Sequence, residues 1–192
     1  MYLLWVFLFP FCLFADLQEA AEEAKPGVVC IMTTVAEGYD QSSGFVISPS
    51  GYILTTAHAV VEALDIQVSF RESFPSIAQL VDYDVEMDLA LLKVDHSALT
   101  YFELEETREI QEGDHIVIVG YGDGFLSHCF GKIVSPEDEN GVFYVNISSG
   151  SVNSGSPILN LQGQMIGMIT HSLSSTLSCG VSSQMILQAL SP

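Results

Sequence analysis

Short runs rich in apolar and β-branched residues, separated by polar turn residues, fill this chain from about residue 28 to residue 181. Runs of three to seven such residues between turn signals predict strands rather than helices. The runs cover 28–34, 43–47, 52–55, 65–70, 77–82 and 89–94. After an irregular stretch over 95–114 they resume at 115–119, 129–134, 142–145, 157–159, 165–170 and 178–181. That makes twelve expected strands in two sets of six. Ser48-Pro49-Ser50-Gly51 and Asn160-Leu161-Gln162-Gly163 supply the turn chemistry that tight hairpins require. Two helical patterns flank the strands. One is LQEAAEEAK over 17–25, stopped by Pro26 and Gly27. The other lies over 182–190, where Met185, Ile186, Ala189 and Leu190 share one face. Many short strands at even spacing predict an all-β sandwich or barrel, here in two halves divided by the 95–114 stretch.

Before the first strand the pattern changes. Met1 to Phe14 reads MYLLWVFLFPFCLF, almost wholly apolar but interrupted by Pro10 and short for a bilayer span. Ala15 then precedes the polar run Asp16-Leu17-Gln18-Glu19. Residues 1–15 are therefore expected to be a secretory signal peptide, leaving 16–190 as the folded domain, with an uncleaved N-terminal anchor as the alternative. The 192 residues, 48% of them hydrophobic, suffice for one large domain or two tightly packed small ones. The exported part would keep Cys30, Cys129 and Cys179, an odd number that allows at most one disulfide within a monomer. The core, not a disulfide framework, must then carry the stability. Export with few cysteines suits a secreted or cell-envelope protein, periplasmic if bacterial.

Charge narrows the partners. Twenty-four acids against five Lys and Arg give a net charge of −19. That field repels nucleic-acid phosphates and anionic lipid, so no nucleic-acid partner and no stable membrane association after signal cleavage are expected. A basic or neutral polypeptide is easier to accept. His96, His115, His128 and His171 show no mutual metal-ligand spacing, and no metal is expected.

Three local contexts carry candidate chemistry: Thr55-Thr56-Ala57-His58-Ala59-Val60 straight after a strand, Asp88-Leu89-Ala90-Leu91-Leu92-Lys93 with an acid opening an apolar strand, and Asn153-Ser154-Gly155-Ser156-Pro157 after a polar loop. A serine hydroxyl is a poor nucleophile until an imidazole takes its proton. The imidazole needs a carboxylate to fix its tautomer, and the oxyanion that forms needs preorganised N–H donors. His58, Asp88 and Ser154 follow one another in the order used by chymotrypsin-type enzymes. Asp82, Asp84 and Glu86 compete with Asp88 as parts of a solvated acidic edge, and Ser148, Ser149, Ser151 and Ser156 compete with Ser154.

On these residues the chain resembles the trypsin-like serine proteases of the HtrA/Deg kind. SGFVISPSGYILTTAHAVVE over 43–62, DLALLKVD over 88–95, EGDHIVIVGYGDG over 112–124, NSGSPILNLQGQMIGM over 153–168 and CGVSSQMILQAL over 179–190 stand in that family's order. Asn-Ser-Gly-Ser-Pro is also similar to the bacterial glutamyl endopeptidases. The resemblance implies a chymotrypsin-like double six-stranded β-barrel with short N-terminal and C-terminal helices, barrel one over about 26–95 and barrel two over about 110–182. It implies a serine endopeptidase working on polypeptide, unfolded or basic, with His58, Asp88 and Ser154 as its triad in the cleft between the barrels. It places the oxyanion donors on the N–H groups of Val152 and Ser154, and Ser148, Ile169, Thr170 and His171 in the substrate-binding region. There 169–171 would pair with an extended substrate. Ser148 is neutral where a trypsin-type pocket holds an acid. Ile169 stands where glutamyl endopeptidases carry histidine. A modest apolar residue at the cut site is the resulting expectation. The triad needs no cofactor, and the peptide-binding PDZ domain of many such proteases is expected to be absent.

Val152 departs from the family, which usually has glycine two residues before the nucleophile. If the donor geometry needs a positive φ, a β-branched residue there stores about 1–3 kcal/mol of strain. This motivates a second expectation, a catalytically impaired protease-fold binding protein with a perturbed oxyanion hole.

Overall fold

The computed structural model describes residues 9–71, 73–104, 109–147, 152 and 154–191, with side chains from Phe14 onward. Helix α1 (Phe9–Ala24) runs into a single 3-10 turn, Lys25–Gly27, where Pro26 removes the next helical N–H. Seven strands then form one antiparallel sheet: β1 (Val28–Val35), β2 (Gly38–Ser48), β3 (Tyr52–Thr55), β4 (Asp65–Phe70), β5 (Ser76–Ile77), β6 (Gln79–Asp84) and β7 (Leu89–Lys93). Their order is β5-β4-β1-β2-β3-β7-β6. The two edges of this sheet, β5 and β6, are consecutive in the chain and separated only by Ala78. The run expected as one strand over 77–82 is therefore two pieces, one pairing with β4 and the other with β7. Ala78 turns its side chain into the core at 7% exposure, and its N–H donates to the Ile66 carbonyl at 2.9 Å. The sheet thus curls back on itself through one chain segment.

The second half contains β8 (His115–Gly122), β9 (Phe125–Ser135), β10 (Val142–Ile147), β11 (Pro157–Leu159), β12 (Met165–Ser172) and β13 (Leu177–Ser182). These close into a six-stranded barrel in the order β10-β13-β12-β11-β8-β9. Helix α2 (Ser183–Ala189) follows, its first turn capped by Ser182 Oγ accepting the Met185 N–H at 3.4 Å. The β8–β9 hairpin is longer than its sequence pattern indicates. Both strands extend to a two-residue turn at Asp123 and Gly124, with φ of 51° and 87°, the Asp-Gly signature of a type I′ hairpin.

Three apolar clusters organise these layers. Val29, Ile31, Val46, Ile53 and Leu92 fill the first half. Ile116, Ile118, Phe143, Val145 and Ile158 fill the second barrel. Between the halves lie Phe45, Leu54, Val117, Val119, Tyr121 and Met168, and this middle cluster also receives Leu17, Ala20, Ala21 and Ala24 from α1. Those four sit at i, i+3, i+4 and i+7, one helical face. The segment predicted as helical is thus the latter part of α1, which reaches back past Ala15 to Phe9. Phe14 meets Phe130 edge to face at 5.8 Å. Among the described residues no helix is long and apolar enough to cross a membrane. Cys30, Cys129 and Cys179 are all free and buried.

Candidate active site

The turn after β3 carries His58, and the start of β7 carries Asp88. β3 and β7 are neighbouring strands, with Thr55 opposite Ala90. This register brings the two side chains together although they lie far apart in sequence. Asp88 holds the turn three times. Its Oδ2 accepts from His58 Nδ1 at 2.7 Å, its Oδ1 accepts the His58 backbone N–H at 2.9 Å, and its own carbonyl accepts the Ala57 N–H at 3.3 Å. Asp88 adopts a positive φ of 54°, a conformation that aspartate tolerates better than β-branched residues do. With Nδ1–H bonded to the carboxylate, the lone pair of Nε2 is left to accept a proton. The His58 side chain is 52% exposed and that of Asp88 only 20%, so the imidazole is open to solvent and the acid lies behind it. Asp82, Asp84 and Glu86 do not take this position. Asp84 Oδ1 instead accepts the N–H groups of Glu86 and Met87 and shapes the turn that presents Asp88.

Ser154 comes from the second half and is fastened to the first. Its carbonyl accepts the Ser43 N–H of β2 at 2.9 Å. The Gly155 N–H donates to the Ile169 carbonyl at 2.8 Å, and the Ile169 N–H to the Ser156 carbonyl at 2.9 Å. Gly155 has φ +84°, and a Cβ there would lie 2.0 Å from the Ser43 oxygen, so only glycine fits. That same Ser43 carbonyl accepts from Thr55 Oγ1 at 2.7 Å, on the strand that leads to His58. Ser43 Oγ in turn accepts the Tyr121 N–H at 2.9 Å. A fully buried polar seam of Ser43, Thr55 and Ser156 therefore connects both halves under the Ser154 loop. Neither Ser43 nor Gly120 stood out in the sequence as a site residue. A Cβ on Gly120 would collide with Ser156 Oγ, which explains a glycine in the middle of a strand.

The remaining expected site residues are placed unequally. Ser148 lies outside the described residues. Val152 is 8% exposed and packs into the core of the second barrel with Ile166 and Ile169. Ile169 is fully buried, and both its backbone groups are engaged by Gly155 and Ser156. It supports the Ser154 loop, and among the described residues the pairing on this edge of β12 ends with it. Thr170 is also buried and donates through Oγ1 to the Cys179 carbonyl at 3.2 Å, whereas His171 is exposed. Burial raises the pKa of all three thiols, Cys30 to about 11, so they are neutral thiols and not nucleophiles. No group of three or more His, Cys, Asp or Glu among the described residues is placed to hold a metal ion.

Residues 42–168 match the trypsin-like peptidase domain family. The chain is similar to the protein named "Probable periplasmic serine endoprotease DegP-like" of Hahella chejuensis, 33% identical over 139 residues. That match spans 69% of this chain and 30% of the relative. A protein of the same description from Pseudomonas fluorescens is 32% identical over 69% of this chain and 29% of its own length. The chain thus spans under a third of these curated relatives. Among solved structures, the serine endoprotease from Yersinia pestis superposes with a TM-score of 0.80 at 25% identity, covering 89% of this chain and 64% of that one. The HtrA-type protease AlgW with tripeptide gives 0.79 at 27% identity, covering 91% and 61%.

Proposed function

Because the chain belongs to the trypsin-like peptidase family, we propose that it is a serine endopeptidase whose triad is His58, Asp88 and Ser154. Ser154 Oγ attacks the scissile carbonyl while His58 Nε2 takes its proton. The imidazolium then returns that proton to the leaving amine, and an acyl-enzyme on Ser154 remains. Water, deprotonated by the same Nε2, releases the acid. Asp88 holds the ring through Nδ1–H and faces the imidazolium as it forms. The N–H groups of Ser154 and Val152 are the candidate oxyanion donors. The observation that carries this reading is the double hold of Asp88 on His58, at 2.7 and 2.9 Å, beside a nucleophile loop pinned to Ser43. Substrates would be extended or unfolded polypeptides. Export through residues 1–15 and a periplasmic or envelope location accord with the periplasmic relatives.

Labelling of the purified protein by a fluorophosphonate probe tests the assignment. Labelling that disappears in Ser154→Ala is the expected result, and equal labelling of both proteins would sink it. The lodging of Val152 in the barrel core supports a second reading, a protease-fold binding protein with an impaired oxyanion hole. Val152→Gly separates the two. A gain of labelling above about tenfold favours impairment, since one oxyanion donor is worth on the order of 10²–10³ in rate. Unchanged or lower labelling favours a working hole.

A further inference from the structure

A cavity of ≈ 230 Å³ opens beside Asp88, bounded by the turn that precedes it, the end of β12, the neighbouring β13 and the start of α2. That is several times the ~30 Å³ share of one water. Met87 and Met185 give it flexible apolar walls, and Glu86, Asp88 and Asn140 give it acceptors, with His171 at its edge. No Lys or Arg among the described residues lines it. The Glu86 side chain is exposed, and its carboxylate has no partner among the described residues. Asp138, whose Oδ1 accepts the N–H groups of Asn140 and Val142, adds its charge nearby and helps raise the Cys179 pKa behind burial. The cavity therefore combines apolar lining with carboxylates and no cation among its described residues. That combination suits a long aliphatic side chain ending in a cation.

Its position connects it to the reaction. β12 pairs with β13 on one side through Ser172, while on the other side its partners among the described residues end at Ile169. A substrate strand added along 170–172 presents alternate side chains to the cleft wall. We infer that this cavity is a specificity subsite for a Lys or Arg side chain within three residues of the cleaved bond, selected by Glu86. The inference rests on the serine-endopeptidase reading and names its substrate class.

Cleavage of a peptide set differing only at successive positions around one scissile bond tests it. Lys or Arg at one such position should raise kcat/KM about tenfold over Gln, as a charge-assisted hydrogen bond does. The same Lys moved five or more residues away controls for the net charge of −19 and should have no such effect. Glu86→Gln should bring the Lys-to-Gln ratio near one, and Glu86→Lys should reverse it in favour of Glu. Equal turnover of Lys, Gln and Glu peptides, or a Lys preference that survives Glu86→Lys, overturns the inference. If fluorophosphonate labelling shows that Ser154 is not reactive, the endopeptidase reading fails by itself. The cavity is then tested by fluorescence anisotropy with extended peptides carrying Lys or Glu. Tighter binding of the Lys peptide, lost in Glu86→Lys, keeps the cavity assignment. Equal binding removes it.

Discussion

Replacing Asp88 by Asn isolates what the carboxylate does for His58. Asparagine has the same shape and tolerates the positive φ of 54° at this position, so the β7 strand should keep its start. In the parent, Oδ1 accepts the His58 N–H and Oδ2 accepts Nδ1–H, at 2.9 and 2.7 Å. An amide has one oxygen for these two donors. If it faces the backbone, its NH2 meets the ring, Nδ1 becomes an acceptor, and the proton moves to Nε2, where it blocks base catalysis. If it faces the ring, two N–H groups confront each other at the backbone, at a cost of about 1–3 kcal/mol. The imidazolium also loses its counter-charge, worth between about 1 and 4 kcal/mol for a half-exposed pair. Together these remove roughly 5 kcal/mol from the proton-transfer step, on the order of 10³–10⁴ in rate. The assay is the second-order rate of fluorophosphonate labelling at neutral pH, with urea unfolding run in parallel to verify the fold. A folded Asp88→Asn protein that labels within tenfold of the parent would refute the reasoning.

Two further outcomes follow from the packing. Gly155→Ala should abolish labelling and lower the thermal midpoint, because its Cβ would press on the Ser43 carbonyl at 2.0 Å, while alanine at the open turn Gly113 costs far less. Stability should fall as pH rises from about 9 toward 11, measured as the urea midpoint. Cys30, Cys129, Cys179 and Tyr121 all have folded pKa values raised by burial, so the unfolded chain loses these protons first and is favoured in that window.

Much of this was legible because the informative segments are local. A histidine just after a strand and an aspartate opening another are short patterns, whereas the pairing of β3 with β7 that joins them appears only in the folded chain. The misreadings share a different origin. The 77–82 run has the composition of one strand, but Ala78 is pulled inward by Ile66, a partner twelve residues earlier that no local pattern reveals. The end of β8 was read short because Gly120 and Gly122 lower strand propensity. Gly120 is there for Ser156, which arrives from far along the chain. Ser43 looked like any polar strand residue. Its N–H, carbonyl and hydroxyl each serve a different segment of the site, and only the folded chain shows that.

That sharing of Ser43 has an operational consequence. The proposed nucleophile belongs to one half of the molecule and the proposed base to the other; an apolar cluster fills the space between the halves, and the polar link beneath Ser154 runs through a single serine. Hydrogen bonds of 2.9 Å do not survive a shift of even 1 Å. Each half also has an apolar cluster of its own beside the shared one, so its strands tolerate that shift without melting. On gentle heating or in low denaturant, fluorophosphonate labelling at Ser154 is therefore expected to vanish while the β-sheet signal persists, which makes that labelling a sensitive gauge of how the two halves are seated.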